Sequence, residues 1–239
     1  MAEQEVIKHT KKIFGIWKTG NSFLHKLSDF LLEIFIIVFA ITLSIYFHDQ
    51  SELRHQRRET KEFLLGLRED LKTDTIEMTD DKESYMKAGY IFKYIISRKL
   101  KEALNADTVN KYGNWITNAT GLIPNNGRFE GFKSAGKIGN IENKDLQNNI
   151  MDLYQENIPS LIKSTDYYTA RKQQLLEYLA INVKRITDNS TNLLTVLASD
   201  PVYNLSNTLT FIGEITQRYD SCISKARSII NEIDKEYGK

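Results

Sequence analysis

FLLEIFIIVFAITLSIYF, Phe30 to Phe47, holds a single charged residue, Glu33, among side chains that are otherwise apolar, small or hydroxylated. As a helix rising about 1.5 Å per residue it is roughly 27 Å long, close to the hydrocarbon thickness of a bilayer. The run therefore reads as the one membrane span of the chain. A secretory signal peptide fits poorly, because Tyr46, Phe47, His48 and Asp49 stand where a cleavage site needs small side chains. A buried core helix is the other reading, but uninterrupted apolar runs of this length seldom occur in soluble domains.

Within the span, Glu33, Ala40 and Ser44 share one face, which continues through His48, Ser51 and His55. Ala40 and Ser44 are a small-xxx-small pair that lets a second helix approach closely. Glu33 lies one turn from the start of the run, where it can snorkel to the interface, stay protonated or bond across to a neighbouring helix. His48, Glu52 and His55 have a helical spacing at which three side chains can meet one metal ion. A solvated juxtamembrane face explains them better, since no Cys/His cluster accompanies them.

Upstream, residues 4–18 place Val6, Ile7, Ile13, Phe14 and Trp17 on one helical side and Lys8, Lys11, Lys12 and Lys18 mostly on the other. This is the pattern of a helix lying on an anionic membrane surface, so the lipids themselves are expected partners. Lysines before the span nearly balance Arg54, Arg57, Arg58 and Lys61 after it. The short tail tips the positive-inside rule toward a cytoplasmic N-terminus in the inner membrane, which puts the rest of the chain in the periplasm.

The full sequence has 239 residues, and Lys plus Arg (32) almost cancels Asp plus Glu (31). No global charge calls for nucleic acid as a partner. Only three prolines and twelve glycines occur, and β-branched alternation is scarce, so the fold class expected is all-α: one transmembrane helix followed by a long-helix bundle. The expected segments are an amphipathic tail (1–21), the span (22–48), a long juxtamembrane helix (49–103) and a helical bundle domain (104–239). Lone Cys222, at an apolar helical position, reads as a packed side chain.

Along the helical part, Asp80 to Glu83 interrupt an apolar stripe and predict a bend. Asp107 is placed to cap a short helix carrying Val109, Tyr112, Trp115 and Ile116. The glycine-rich stretch from Gly127 to Leu146 has neither P-loop nor dinucleotide spacing, and reads as a helix, a tight turn and a new helix start. Pro159 kinks or divides the next helix, residues 187–192 make a loop or a frayed end, and Asp200-Pro201 starts another helix. A final helix carries the stripe Leu205, Leu209, Ile212, Thr216, Tyr219, Ile223, Ala226, Ile230, Ile233 and Tyr237, suited to antiparallel partners or a coiled coil.

The run DFLLEIFIIVFAITLSIYF together with FEGFKSAGKIGNIENKDLQNNIMDLY resembles a family of small bacterial membrane proteins defined only as a domain of unknown function. The residues that carry the likeness in mid-chain are Phe129, Phe132, Lys133, Ser134, Gly136, Lys137 and Ile138. This chain departs from the family pattern after the span, where FHDQ replaces an Asn-Trp-rich segment. The resemblance implies one span and a helical domain, and transfers no activity.

No GxSxG, Walker A, HExxH, paired CxxC or convincing acid pair is present, so no enzyme activity and no cofactor is expected. Two functions remain: a membrane-anchored interaction or scaffold protein, assembling with itself or another membrane protein, and a ligand-sensing module. The second would use Tyr112, Trp115, Phe129 and Phe132, which form either a pocket or part of the core.

Overall fold

A computed structural model describes residues 23–99 and 102–238. The expected surface tail, with Lys8, Lys11, Lys12, Trp17 and Lys18, lies outside the described residues. About 81% of the chain is helical, so the all-α class holds. Helix α1, Phe23–Ile96, is by far the longest element at 74 residues. Two compact units divide at Arg58 and Glu59, within this helix.

The first unit holds the apolar run. This is the one described helix long and apolar enough to cross a membrane. Its large side chains from Leu31 to Phe47, including Leu32, Phe35, Phe39 and Tyr46, are exposed, except half-buried Ile37. Thr42 Oγ1 donates to the carbonyl of Val38 at 2.8 Å, which satisfies the hydroxyl on its own helix and frees it from needing water. Among the described residues no group of three His, Cys, Asp or Glu side chains is placed to hold a metal ion.

The second unit begins with the part of α1 from Glu59. Here Phe63, Leu64, Leu67, Leu71, Met78, Tyr85, Ala88, Ile91, Phe92 and Ile95 recur every three or four residues and are all buried. No break occurs at Asp80 to Glu83: the helix runs through, and Asp81 is buried as a hydrogen-bond acceptor. A charge that interrupts an apolar stripe need not end a helix when a partner waits across the core.

Two short helices follow, α2 at Ala106–Tyr112 and α3 at Asn114–Thr117. The cap of α2 is Asn105, whose Oδ1 accepts from the Thr108 N–H at 2.9 Å, so Asp107 sits in the first turn and not at the cap. An irregular stretch leads to α4, Gly127–Ser134. Gly136, at φ +71°, then closes α4: the Lys137 N–H reaches back to the Phe132 carbonyl at 3.1 Å, and the Gly136 N–H to Lys133 at 2.9 Å. A 3-10 turn at Ile138–Asn140 precedes α5, Lys144–Asp152, which is capped by Asn143. The glycine-rich stretch is thus the predicted helix, turn and helix start.

A π-helical turn, Leu153–Asn157, joins α5 to α6, Ile158–Asn182. Pro159 sits in the first turn of α6, where its missing N–H costs least. The predicted division is there, carried by the π turn.

Residues Arg185–Thr187 (β1) and Ser190–Thr191 (β2) pair antiparallel as a small exposed hairpin, where the sequence suggested only a loop. Short α7, Leu193–Leu197, leads to α8, Asp200–Thr208, started by Pro201. The last predicted helix is in fact two, because the chain turns at residues 209–212 before α9, Gly213–Tyr237. Gly213, a poor helix former, sits at this join.

Helix α9 lies antiparallel to α1, as its cross-contacts show. Lys82 meets Asp220 at 2.5 Å and Arg68 meets Asp234 at 2.8 Å, with Tyr219 against Asp81 between them. It also runs against α5, where Lys225 bonds Asn149 and Asp152, and packs on α6. Tyr219, Cys222, Ala226, Ile229 and Ile233 fill the shared core.

Candidate functional site

Two features of the second unit concentrate polar chemistry. The first is a ladder of carboxylates on α1. Asp70, Asp74, Glu77 and Asp81 fall at i, i+4, i+7 and i+11, one face of a helix. Each takes a donor from the irregular strap at residues 118–126 or from Arg128, in the first turn of α4. Arg128 Nε donates to Asp70 at 2.9 Å, and the Ile123 N–H to Glu77 at 3.1 Å. Asn125 donates to Asp74 through its N–H at 3.2 Å and its Nδ2 at 2.6 Å. Thr120 Oγ1 and Tyr219 OH both donate to Asp81. Gly66 leaves room on α1 for the Arg128 guanidinium to cross toward Asp70, since a Cβ there would lie 2.3 Å from it.

The strap has almost no secondary structure of its own, so these side chains stand in for a ladder. Tyr85 OH donates to the Thr120 carbonyl at 2.8 Å. From α6, Lys172 reaches across to donate to the carbonyls of Trp115 and Asn118. Lys172 is only 5% exposed, and burial pulls its pKa down to about 8. Burial likewise raises the pKa of Asp74, against the pull of its bonds to Asn125. Burial pushes the Tyr85 hydroxyl up to about 12, with Asp81 adding to the shift. All three shifts come first from desolvation, the signature of a polar seam built into a core.

The second feature is a groove of about 770 Å³ between α6 and the turn from α8 into α9. Lys163, Tyr167 and Arg171 line one wall, and Phe211, Glu214 and Arg218 the other. Buried Tyr168 and Ile215 form its apolar floor, while Phe211 and Tyr167 stand 76% and 64% exposed. The Arg171 guanidinium lies 5.2 Å from the Tyr167 ring and donates to its hydroxyl at 2.9 Å. Arg218 pairs with Glu214 at 2.6 Å. Among the described residues Lys163 has no ion-pair partner.

The four aromatic residues singled out in the sequence do not line one cavity. Phe129 is fully buried and stacks on Tyr154 at 4.5 Å, while Phe132 stacks on Phe63 at 3.9 Å. Trp115 lies beneath the Lys87 ammonium at 5.0 Å, and Tyr112 leans on Tyr90 at 4.7 Å. They are core and rim of the helical unit. On the apolar helix, Ala40 and Ser44 are exposed and Glu33 is half-buried. Neither the carboxylate ladder nor the groove was singled out in the sequence. The ladder's spacing was there to find, but the groove's two named walls are forty or more residues apart in the chain.

Fold and sites together define a helical protein with, among the described residues, one helix long and apolar enough to cross a membrane, a polar seam in the core and a basic groove on the surface of its second unit. No family model, curated protein or solved structure matches the chain.

Proposed function

We propose that the chain is a single-pass membrane-anchored interaction protein without enzymatic activity, whose helical bundle domain docks partners beside the bilayer. One observation carries this reading. Nearly all the apolar side chains from Leu31 to Phe47 are exposed on a helix long enough to span, and a soluble protein rarely leaves so large an apolar face in water. In the same reading Glu33, Ala40 and Ser44 face another transmembrane helix, of a second copy or a different protein. The N-terminus is cytoplasmic and the bundle domain lies on the periplasmic side of an inner membrane.

Extraction of native membranes with alkaline carbonate tests the anchor. The protein stays in the pellet and enters solution only with detergent; recovery in the aqueous wash would refute the anchor. Orientation is read with a Cys222→Ala, Lys111→Cys variant, since Lys111 is exposed and Cys222 buried. A membrane-impermeant maleimide labels it in intact spheroplasts if the bundle domain is outside, and only after lysis if it is inside. Glu33→Ala and Ser44→Leu variants test assembly, and unchanged mass in detergent for both would remove the span face from it.

A second reading, a ligand-sensing module, is favoured by the groove between α6 and α9, whose size falls in the range of small-molecule sites. Its exposed aromatic rims and its half-open shape suit a protein segment better.

A further inference from the structure

We infer that the groove between α6 and the turn from α8 into α9 docks an acidic segment of a partner protein, one that carries an apolar anchor residue between its carboxylates. The inference rests on the reading of this chain as an interaction protein and adds the chemistry of its partner. Three features of the groove point the same way.

The first is charge. Lys163, Arg171 and Arg218 face the groove against the single carboxylate of Glu214. Since Glu214 is taken up by Arg218, the positive field of Lys163 and Arg171 is left for a ligand. The chain as a whole is nearly neutral at formal charge +1, so this local excess is not a reflection of general basicity. The second is the length of the charged ridge. Lys163, Tyr167 and Arg171 succeed one another by four residues on α6, which sets the backbone positions of the two cations about 12 Å apart along the helix. Carboxylates several residues apart on an extended or helical segment match a basic ridge of that length.

The third is the aromatic rim. Phe211 is 76% exposed beside an apolar floor of Ile215 and Tyr168. A side chain of that size held in water at the edge of a concave apolar surface is the kind of anchor that interfaces use, and Arg and Tyr accompany it here as they do there. A small molecule is usually enclosed over most of its surface, and this groove, with both aromatic rims open, does not enclose one.

The test uses full-length protein in detergent, so it does not depend on the span, and loss of the anchor reading in the carbonate experiment leaves it intact. Three fluorescein-labelled decapeptides are compared by anisotropy: one with glutamates flanking a central leucine, the same with every glutamate replaced by glutamine, and the same with lysines. The acidic peptide binds, the other two do not, and its affinity falls as sodium chloride rises from about 50 to 200 mM, because exposed charges are screened over that range. Lys163→Glu with Arg171→Glu weakens binding by about tenfold or more, as reversal of steering charges does. Phe211→Ser weakens it several-fold while leaving the circular dichroism spectrum unchanged, since that side chain is mostly in water. Lys111→Glu, on α2, changes nothing.

Absence of binding by the acidic peptide overturns the proposal, as does equal binding of the glutamine peptide or insensitivity to the double reversal. If inorganic phosphate and mononucleotides bind with sensitivity to that reversal while the peptide does not, the groove is a small-anion site and the proposal fails.

Discussion

Lys172 and Asp74 are buried charges of opposite sign in the same seam, and their pH behaviour distinguishes them. For Lys172 the folded pKa, about 8, lies below the ordinary 10.5. Below pH 8 both folded and unfolded chains carry the proton, so the full burial cost, about 3 kcal/mol, is present at neutrality. Between pH 8 and 10.5 the unfolded chain holds the proton and the folded one does not, so this cost is relieved as pH rises. The stability of the wild type relative to Lys172→Met, measured from urea midpoints, therefore increases over that window; a flat difference would show that the amine is solvated. For Asp74 burial raises the folded pKa above the ordinary carboxylate value. Here the folded state is the better proton binder, so the wild type gains stability relative to Asp74→Asn as pH falls from neutral through the raised pKa, and levels off below the ordinary one. Acidification has the reverse effect on a salt-bridged aspartate, so a wild type that loses ground to Asp74→Asn below neutrality would contradict the buried placement.

At the scale of elements, periodicity and punctuation were legible where the determinants are local. Pro159, Asn143, Pro201 and the Gly136 turn all act through their own backbone and first neighbours. The left-handed conformation of Gly136, at φ +71°, predicts that Gly136→Ala lowers stability by about 1 kcal/mol even though a Cβ there would meet nothing within 4 Å. Thermal unfolding of the two proteins checks it, and an unchanged midpoint would mean that the turn relaxes to another closure. Elements set by distant partners were not legible. Asp81 reads in the sequence as an interruption of the apolar stripe because Tyr219, the group that donates to it, lies 138 residues away. The strap at residues 118–126 has no period of its own, so its order depends on side chains that only the folded α1 lines up. The stripe from Leu205 to Tyr237 kept its apolar spacing across two helices, since in the turn between them Leu209 is buried and Ile212 packs half-buried against the core, as they would in a helix. Hydrophobic period alone therefore could not reveal that break.

At the scale of the molecule, the buried side chains of the second unit form one cluster from Phe63 to Ile233, with no second core among the described residues. A single core predicts a single cooperative transition. Cys222 offers an internal reporter of it. The thiol is buried in α9, and desolvation pushes its pKa up to about 11, so in the folded protein it is both inaccessible and protonated near pH 8. It becomes reactive only when α9 leaves the core, where its pKa returns toward the ordinary value. In a urea titration of the protein in detergent, thiol labelling and the near-ultraviolet circular dichroism of the buried tyrosines change at one midpoint. Far-ultraviolet helicity retains a remainder beyond that midpoint, because the apolar run at residues 30–47 stays helical in the micelle, where an unpaired backbone is costly. Two separated midpoints for labelling and tyrosine signal would mean that α9 detaches before the polar seam opens, and would divide the unit into two folding pieces. Loss of all helicity at the one midpoint would mean instead that the apolar run does not enter the micelle, and the membrane reading would lose its physical basis.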